Sequence, residues 1–171
     1  MATNAANNAR NSHAGEKDKI LLTREGYEEK KQRLAFLLER RKSIADFIHE
    51  AKEAGDVSES SAYEEAKNLQ AFNEGEIREI QHILENAELL EVPEGGDGYK
   101  TVRLGSTVEV ENSRGTKRSF MIVNPVEADP SHNKISDQAP VGKALMGRSE
   151  GDKVEVKTDN GNVTYTIIGV H

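Results

Sequence analysis

From Glu53 to Ser61 the chain reads Glu53-Ala54-Gly55-Asp56-Val57-Ser58-Glu59-Ser60-Ser61, a run of turn and cap residues between two long stretches that lack proline. Gly tolerates backbone angles that other residues avoid, and Asp and Ser bond to nearby backbone N–H groups, so each reverses a chain or starts a helix readily. Upstream stand Tyr27, Leu34, Leu37, Arg41, Ile44, Ile48 and Ala51. Downstream stand Tyr63, Ala66, Gln70, Asn73, Ile77, Ile80, Leu84 and Ala87. Both series keep the heptad spacing of a coiled-coil seam. The segment from Thr23 to about Leu90 is therefore expected to be two helices, with Thr23 as the first N-cap. A reversal at Gly55 lays one run against the other: Ile48 meets Ala66 or Lys67, Leu37 meets Ile77, and Leu34 meets Ile80. Apolar faces apolar, so the pattern predicts an antiparallel hairpin whose seam is interrupted by the polar Arg41, Gln70 and Asn73. Glu28, Glu29, Lys30, Lys31, Glu39, Arg40 and Lys42 fall on the outer, solvated faces. About 30 residues per helix at ~1.5 Å each make a rod roughly 45 Å long. Such a rod has little core of its own and suits a probe or lever better than a pocket.

Outward from the hairpin the texture changes. Residues 1–19 are rich in Asn and Ala and lack the apolar core of a signal peptide, so they read as a disordered tail. Residues 20–92 make the hairpin. Residues 93–99 carry Pro93-Glu94-Gly95-Gly96-Asp97-Gly98, a linker on turn chemistry alone. Residues 100–171 hold short β-branched runs expected to be strands at Thr107–Glu111, Arg118–Val123, Lys153–Thr158 and Asn162–Gly169. Asp159-Asn160-Gly161 should turn the last two into a hairpin. Pro140 to Gly147 reads as a short helix, with Pro near its start and Gly at its end. The expected class is α+β: a helical hairpin followed by a small β-rich domain with one short helix.

The charge narrows the partners. The chain has 171 residues and a net charge of −7, from 23 basic and 30 acidic side chains. Of that, −6 falls on Met1–Val92 (13 basic, 19 acidic) and −1 on Pro93–His171 (10 basic, 11 acidic). A simple nucleic-acid binder carries a basic excess; this balance points to a protein partner, or to a cation held by carboxylates. With no Cys there are no disulfides or thiolate metal sites, which suits a reducing cytoplasm. No run approaches the ~20 apolar residues that span a bilayer, so no membrane partner is expected.

Asp56 and Glu59 stand three apart in the turn, with Glu53, Glu64 and Glu65 nearby. Carboxylates at this spacing can share a Mg²⁺ ion, which prefers hard oxygen ligands and keeps several waters. A pair is too few to hold the ion alone, so it would complete a site owned by a partner. The plainer reading is a surface turn in which Asp56 and the serines cap helices. His13, His49, His82, His132 and His171 show no metal-ligand spacing and read as surface residues. There is no Gly-rich phosphate loop, and no nucleophile stands with a base.

The run Glu53-Ala54-Gly55-Asp56-Val57-Ser58-Glu59, with Tyr63, Ala66 and Lys67, resembles the hairpin tip of the bacterial Gre transcript-cleavage factors, the GreA type most of all. Phe72, Glu74, Gly75, Ile77 and Asn86-Ala87 resemble the family's second helix. In the second half, Ile135-Ser136, Pro140, Ala144-Leu145-Met146-Gly147, Gly151-Asp152, Val154 and the closing Gly161–Ile168 hairpin resemble it too. The likeness covers roughly Ile20 to Val170.

The resemblance implies a transcription elongation factor of the cytoplasm, acting as a monomer. Its coiled coil would enter the secondary channel of RNA polymerase while an FKBP-like second domain docks on the channel rim. Asp56 and Glu59 would help hold a Mg²⁺ shared with the polymerase's own aspartates, under two-metal logic, and orient the water that cleaves a backtracked transcript. The chain would stimulate the polymerase's nuclease and not be an enzyme itself. Lys52 and Lys67 fall where the family carries a basic patch facing the nascent RNA 3′ end, attracting phosphate without sequence preference; otherwise they are ordinary helix-face charge. Asp137, Pro140, Val141 and Met146 would dock on polymerase, though core and turn are their plainer roles, as for Leu145. An FKBP-type isomerase needs an aromatic pocket, and Tyr99, Phe120 and Tyr165 without any Trp do not supply one. The chain departs from the family at Ser60-Ser61-Ala62, where an acidic and an amide residue are usual, and at Ala139, where Ser is common. Those changes leave a second reading open, a regulator that occupies the channel without promoting cleavage. An unrelated coiled-coil adaptor is a third.

Overall fold

A computed structural model describes residues 19–53, 61–91, 101–158 and 161–171. Asp56 and Glu59, the linker 93–99, the tail apart from Lys19, and the turn residues Asp159 and Asn160 lie outside the described residues.

Strand β1 (Ile20–Leu22) leads into helix α1 (Arg24–Glu53); helix α2 (Ser61–Glu85) leads into strand β2 (Ala87–Leu89). Thr23 caps α1 as the sequence indicated: its Oγ1 accepts from Gly26 N at 3.0 Å, and its carbonyl accepts from Tyr27 N. The helices run antiparallel, since Arg33 reaches Glu76, Arg41 reaches Glu74, and Lys52 lies over Tyr63. Leu37, Ile77 and Ile80 are buried between them, flanked by Leu34 and Leu84. Ile44, Ala51 and Ala66 continue the buried seam toward the connecting end.

The polar seam residues are accommodated in two ways. Arg41 turns outward and forms a two-pronged bond to Glu74, Nε and Nη2 each at 2.6 Å. Asn73 stays buried and donates to the carbonyl of Leu37 at 3.1 Å, while its Oδ1 has no partner. The hydrogen bond from Arg33 holds the Glu76 carboxyl below its ordinary pKa, outweighing the opposing effect of desolvation.

The base of the hairpin carries a pairing that periodicity did not reveal. β1 and β2 form a two-stranded parallel ladder in the register Ile20–Ala87, Leu21–Glu88 and Leu22–Leu89. Three-residue strands leave no readable alternation, so a local reading extends the helices or a loop through them.

The second half is a five-stranded sheet in the order β5-β4-β3-β7-β6. Its strands are β3 (Thr107–Asn112), β4 (Lys117–Val123), β5 (Lys134–Ser136), β6 (Lys153–Thr158) and β7 (Gly161–Val170), with helix α3 (Pro140–Leu145) between β5 and β6. The four expected strands are all present, within one residue at each end. β5, which pairs parallel to β4 at the sheet edge, was not expected. α3 ends at Leu145, and Gly147 follows at φ 73°. Inward-facing Val108, Val110, Phe120, Ile122, Val154, Val156 and Ile167 form the core with Leu145 of α3. Class and layout are α+β, a helical hairpin followed by a curled sheet.

Candidate functional site

The described residues bring the last turn of α1 and the first turn of α2 together, with Lys52 Nζ 5.9 Å from the centroid of the Tyr63 ring. Asp56 and Glu59 belong to the segment that connects these two turns. Lys52 and Lys67 are both exposed. The structure sets Lys52 opposite Tyr63 and Lys67 about one turn further along α2, where its Nζ bonds Gln70 Oε1 at 2.9 Å. Each follows a buried seam alanine, Ala51 and Ala66. In an antiparallel pair those flanking positions share one side of the hairpin, so the two cations line the same flank.

Asp137, Pro140, Val141 and Met146 occupy one continuous stretch from the end of β5 through α3. Pro140 is exposed and opens the helix. Asp137 is half-buried, its N–H donating to the carbonyl of Val123. Val141 and Met146 are half-buried and pack on the sheet core, and Leu145 is wholly buried in it. Gly142 lets α3 approach β5, since a Cβ there would collide with the carbonyl oxygen of Ser136. Among the described residues, His49, His82, His132 and His171 are exposed, and no group of three or more His, Asp or Glu side chains is arranged to hold a metal ion. Phe120 is buried in the core and Tyr165 packs against it; Tyr99 lies outside the described residues. No described helix is long and apolar enough to cross a membrane.

Two family descriptions match the chain: "Transcription elongation factor, N-terminal" over residues 20–89 and "Transcription elongation factor, GreA/GreB, C-term" over residues 97–171. The chain belongs to the GreA/GreB family. Among its relatives, the transcription elongation factor GreA of Thermomicrobium roseum is 44% identical over 90% of this chain and 98% of its own length. GreA of Thermotoga neapolitana is 46% identical over 89% of this chain and 97% of its own. Among solved structures, GreA factor homolog 1 of Thermus thermophilus is 34% identical, covers 90% of this chain and 99% of its own, and has a TM-score of 0.42.

In this GreA/GreB chain the hairpin and the sheet meet through a polar cluster that sequence reasoning missed. The Glu127 carboxylate, buried, accepts from the Thr23 backbone N at 3.2 Å and from Thr23 Oγ1 at 2.6 Å. Lys134, also buried, donates to Glu29 at 2.9 Å and lies 3.6 Å from Glu25, both on the first turns of α1. Burial pulls the Lys134 ammonium down, but the bond to Glu29 and the charges of Glu29 and Glu25 outweigh it, so its pKa stands above the ordinary lysine value. The partners are 104 and 105 residues apart. Nearby, Asn124 before Pro125 and Asp129 before Pro130 each cap a short 3₁₀ turn, local signals that a sequence carries but that do not point to α1.

Proposed function

We propose that this chain is a transcript-cleavage factor that inserts its hairpin into the secondary channel of RNA polymerase and stimulates cleavage of backtracked RNA. The observation that carries the reading is the approach of α1 and α2 at Lys52 and Tyr63, because Asp56 and Glu59 lie on the segment joining those helix ends. The donor set suits Mg²⁺, which takes hard oxygen ligands and keeps waters, and a pair of carboxylates suffices only where the polymerase supplies the rest. When bound there, the ion would lower the pKa of an attacking water and neutralise charge on the scissile phosphate.

Asp56 and Glu59 supply two oxygen-bearing side chains on the one short segment that joins the two helices. Lys52 and Lys67, on one flank just behind, attract the phosphates of the extruded 3′ segment. The FKBP-like second domain docks through Asp137, Pro140, Val141 and Met146 and anchors the rod. The protein acts as a monomer and contributes residues to a nuclease site that belongs to polymerase.

The test is a backtracked elongation complex with labelled RNA and Mg²⁺. The protein should release a short 3′ fragment and restore extension. Asp56→Asn and Glu59→Gln should abolish release while binding to polymerase persists. Full cleavage by both variants overturns the reading. Binding by the unaltered protein without release favours the second reading, a channel-occupying regulator, which Ser60-Ser61-Ala62 motivates.

A further inference from the structure

The junction between hairpin and sheet is built more specifically than the covering of a surface requires. Three of the buried polar or charged side chains in the described residues meet there: Thr23, Glu127 and Lys134. Burying a charge is costly unless it is bonded, and each charged group here is bonded to the start of α1. Glu127 accepts from both the N–H and the Oγ1 of Thr23, and that same Oγ1 accepts from Gly26 N. The helix cap is thus extended by a carboxylate from the other half of the molecule. A negative group at this point is favoured by the positive end of the helix dipole. Gly26 completes the fit, since a Cβ there would fall on Glu127 Oε1. Glu127 is itself fixed: it closes the 3₁₀ turn capped by Asn124, and its N–H donates to the Asn124 carbonyl at 2.9 Å. Lys134, on edge strand β5, adds a second tie further along α1, at Glu29.

One tie would leave the rod free to swing about it; two ties separated along α1, at Thr23 and at Glu29, set its direction. A rod of about 30 residues at ~1.5 Å each converts a few degrees of swing at the base into several ångströms at its far end. Chemistry that depends on carboxylates at that end is sensitive to such errors, since misplacement by ~1 Å can cost about a hundredfold.

We propose that Glu127 is a positioning residue: acting through Thr23, and seconded by Lys134, it aims the hairpin relative to the docked domain, so that anchoring on polymerase delivers Asp56 and Glu59 to the reacting phosphate. The proposal rests on the transcript-cleavage reading for its consequence, but not for its geometry. Glu127→Ala removes the tie. Gly26→Ala displaces Glu127 without altering any charge, and guards against a Glu127 variant that fails for reasons of folding.

The experiment has two arms on the full-length protein. In the first, both variants are titrated against backtracked complexes. The maximal cleavage rate should fall ~10-fold or more, the concentration giving half-maximal cleavage should stay within about twofold, and helical content by circular dichroism should not change. Unaltered maximal rates in both variants, or a loss matched by lost binding or lost helix, overturn the proposal. In the second arm, spin labels are placed at the exposed Ser43→Cys on α1 and Ser119→Cys on β4; the chain has no other cysteine. The distance distribution should be narrow in the parent and broaden or shift with Glu127→Ala and with Gly26→Ala. An unchanged distribution overturns the positioning role. If the parent releases no RNA while the distribution responds to both variants, the cleavage reading has failed and the aiming device stands.

Discussion

Gly142 lies inside a helix, where alanine is ordinarily preferred by up to about 1 kcal/mol. Here the preference should reverse. The added methyl would strike the Ser136 carbonyl oxygen and come within 2.9 Å of its carbon, and a backbone group cannot rotate away as a side chain can. Gly142→Ala is therefore expected to destabilise by about 1–3 kcal/mol, read as a lowered thermal midpoint; a rise would show that α3 has room to move. At the other end of the molecule, Lys67 is exposed and hydrogen-bonds Gln70 on its own helix. Reversing its charge should leave the fold intact. Under the proposed function Lys67→Glu repels RNA phosphate, so cleavage should weaken, most at low salt where screening is least. Equal activity at low salt would remove Lys67 from the RNA contact.

The hairpin shows how an element carries polar residues in an apolar seam. Arg41 escapes sideways to Glu74, at little cost because both remain in contact with water. Asn73 cannot escape. It makes one bond across the seam and leaves Oδ1 buried without a partner. A buried polar residue of this kind specifies register at a cost in stability. Replacing Asn73 by Leu removes the orphaned oxygen and its bond together, and should stabilise the hairpin by on the order of 1 kcal/mol. Chemical denaturation would show a higher midpoint, accompanied by broadened resonances along the seam if register loosens. A lower midpoint would mean that the bond to Leu37 outweighs the desolvation of Oδ1.

At the scale of the whole molecule the junction should respond to alkali. The folded pKa of Lys134 is raised above 10.5, so its contribution is complete below that pH and is lost as the pH climbs through the raised value. Glu25, Glu29, Asp129 and His132 surround it. Asp129 is already held to about 2 by hydrogen bonds from Ser131 and then His132, so it stays charged throughout that window. Both carboxylate partners of Lys134 are more than half exposed, which limits the contribution to about 1 kcal/mol or less. The difference in thermal midpoint between the parent and Lys134→Met should shrink as pH rises past 10.5. A constant difference would assign the effect of Lys134 to packing of its carbon stem.

The sequence by itself determined what local pattern controls. Heptad spacing marked α1, α2 and the Leu37–Ile77 pairing; turn chemistry and alternation marked β3, β4, β6 and β7; Thr23 announced its cap. The same patterns placed Asp56 and Glu59 on the segment between the helices, and Lys52 and Lys67 just behind it. Tertiary structure alone decided the rest. β1, β2 and β5 are three residues each, too short for a period to register, and exist because partner strands complete their ladders. The ties from Glu127 to Thr23 and from Lys134 to Glu29 join residues more than a hundred positions apart, where a carboxylate and a lysine read as ordinary surface charge until folding buries them against the start of α1.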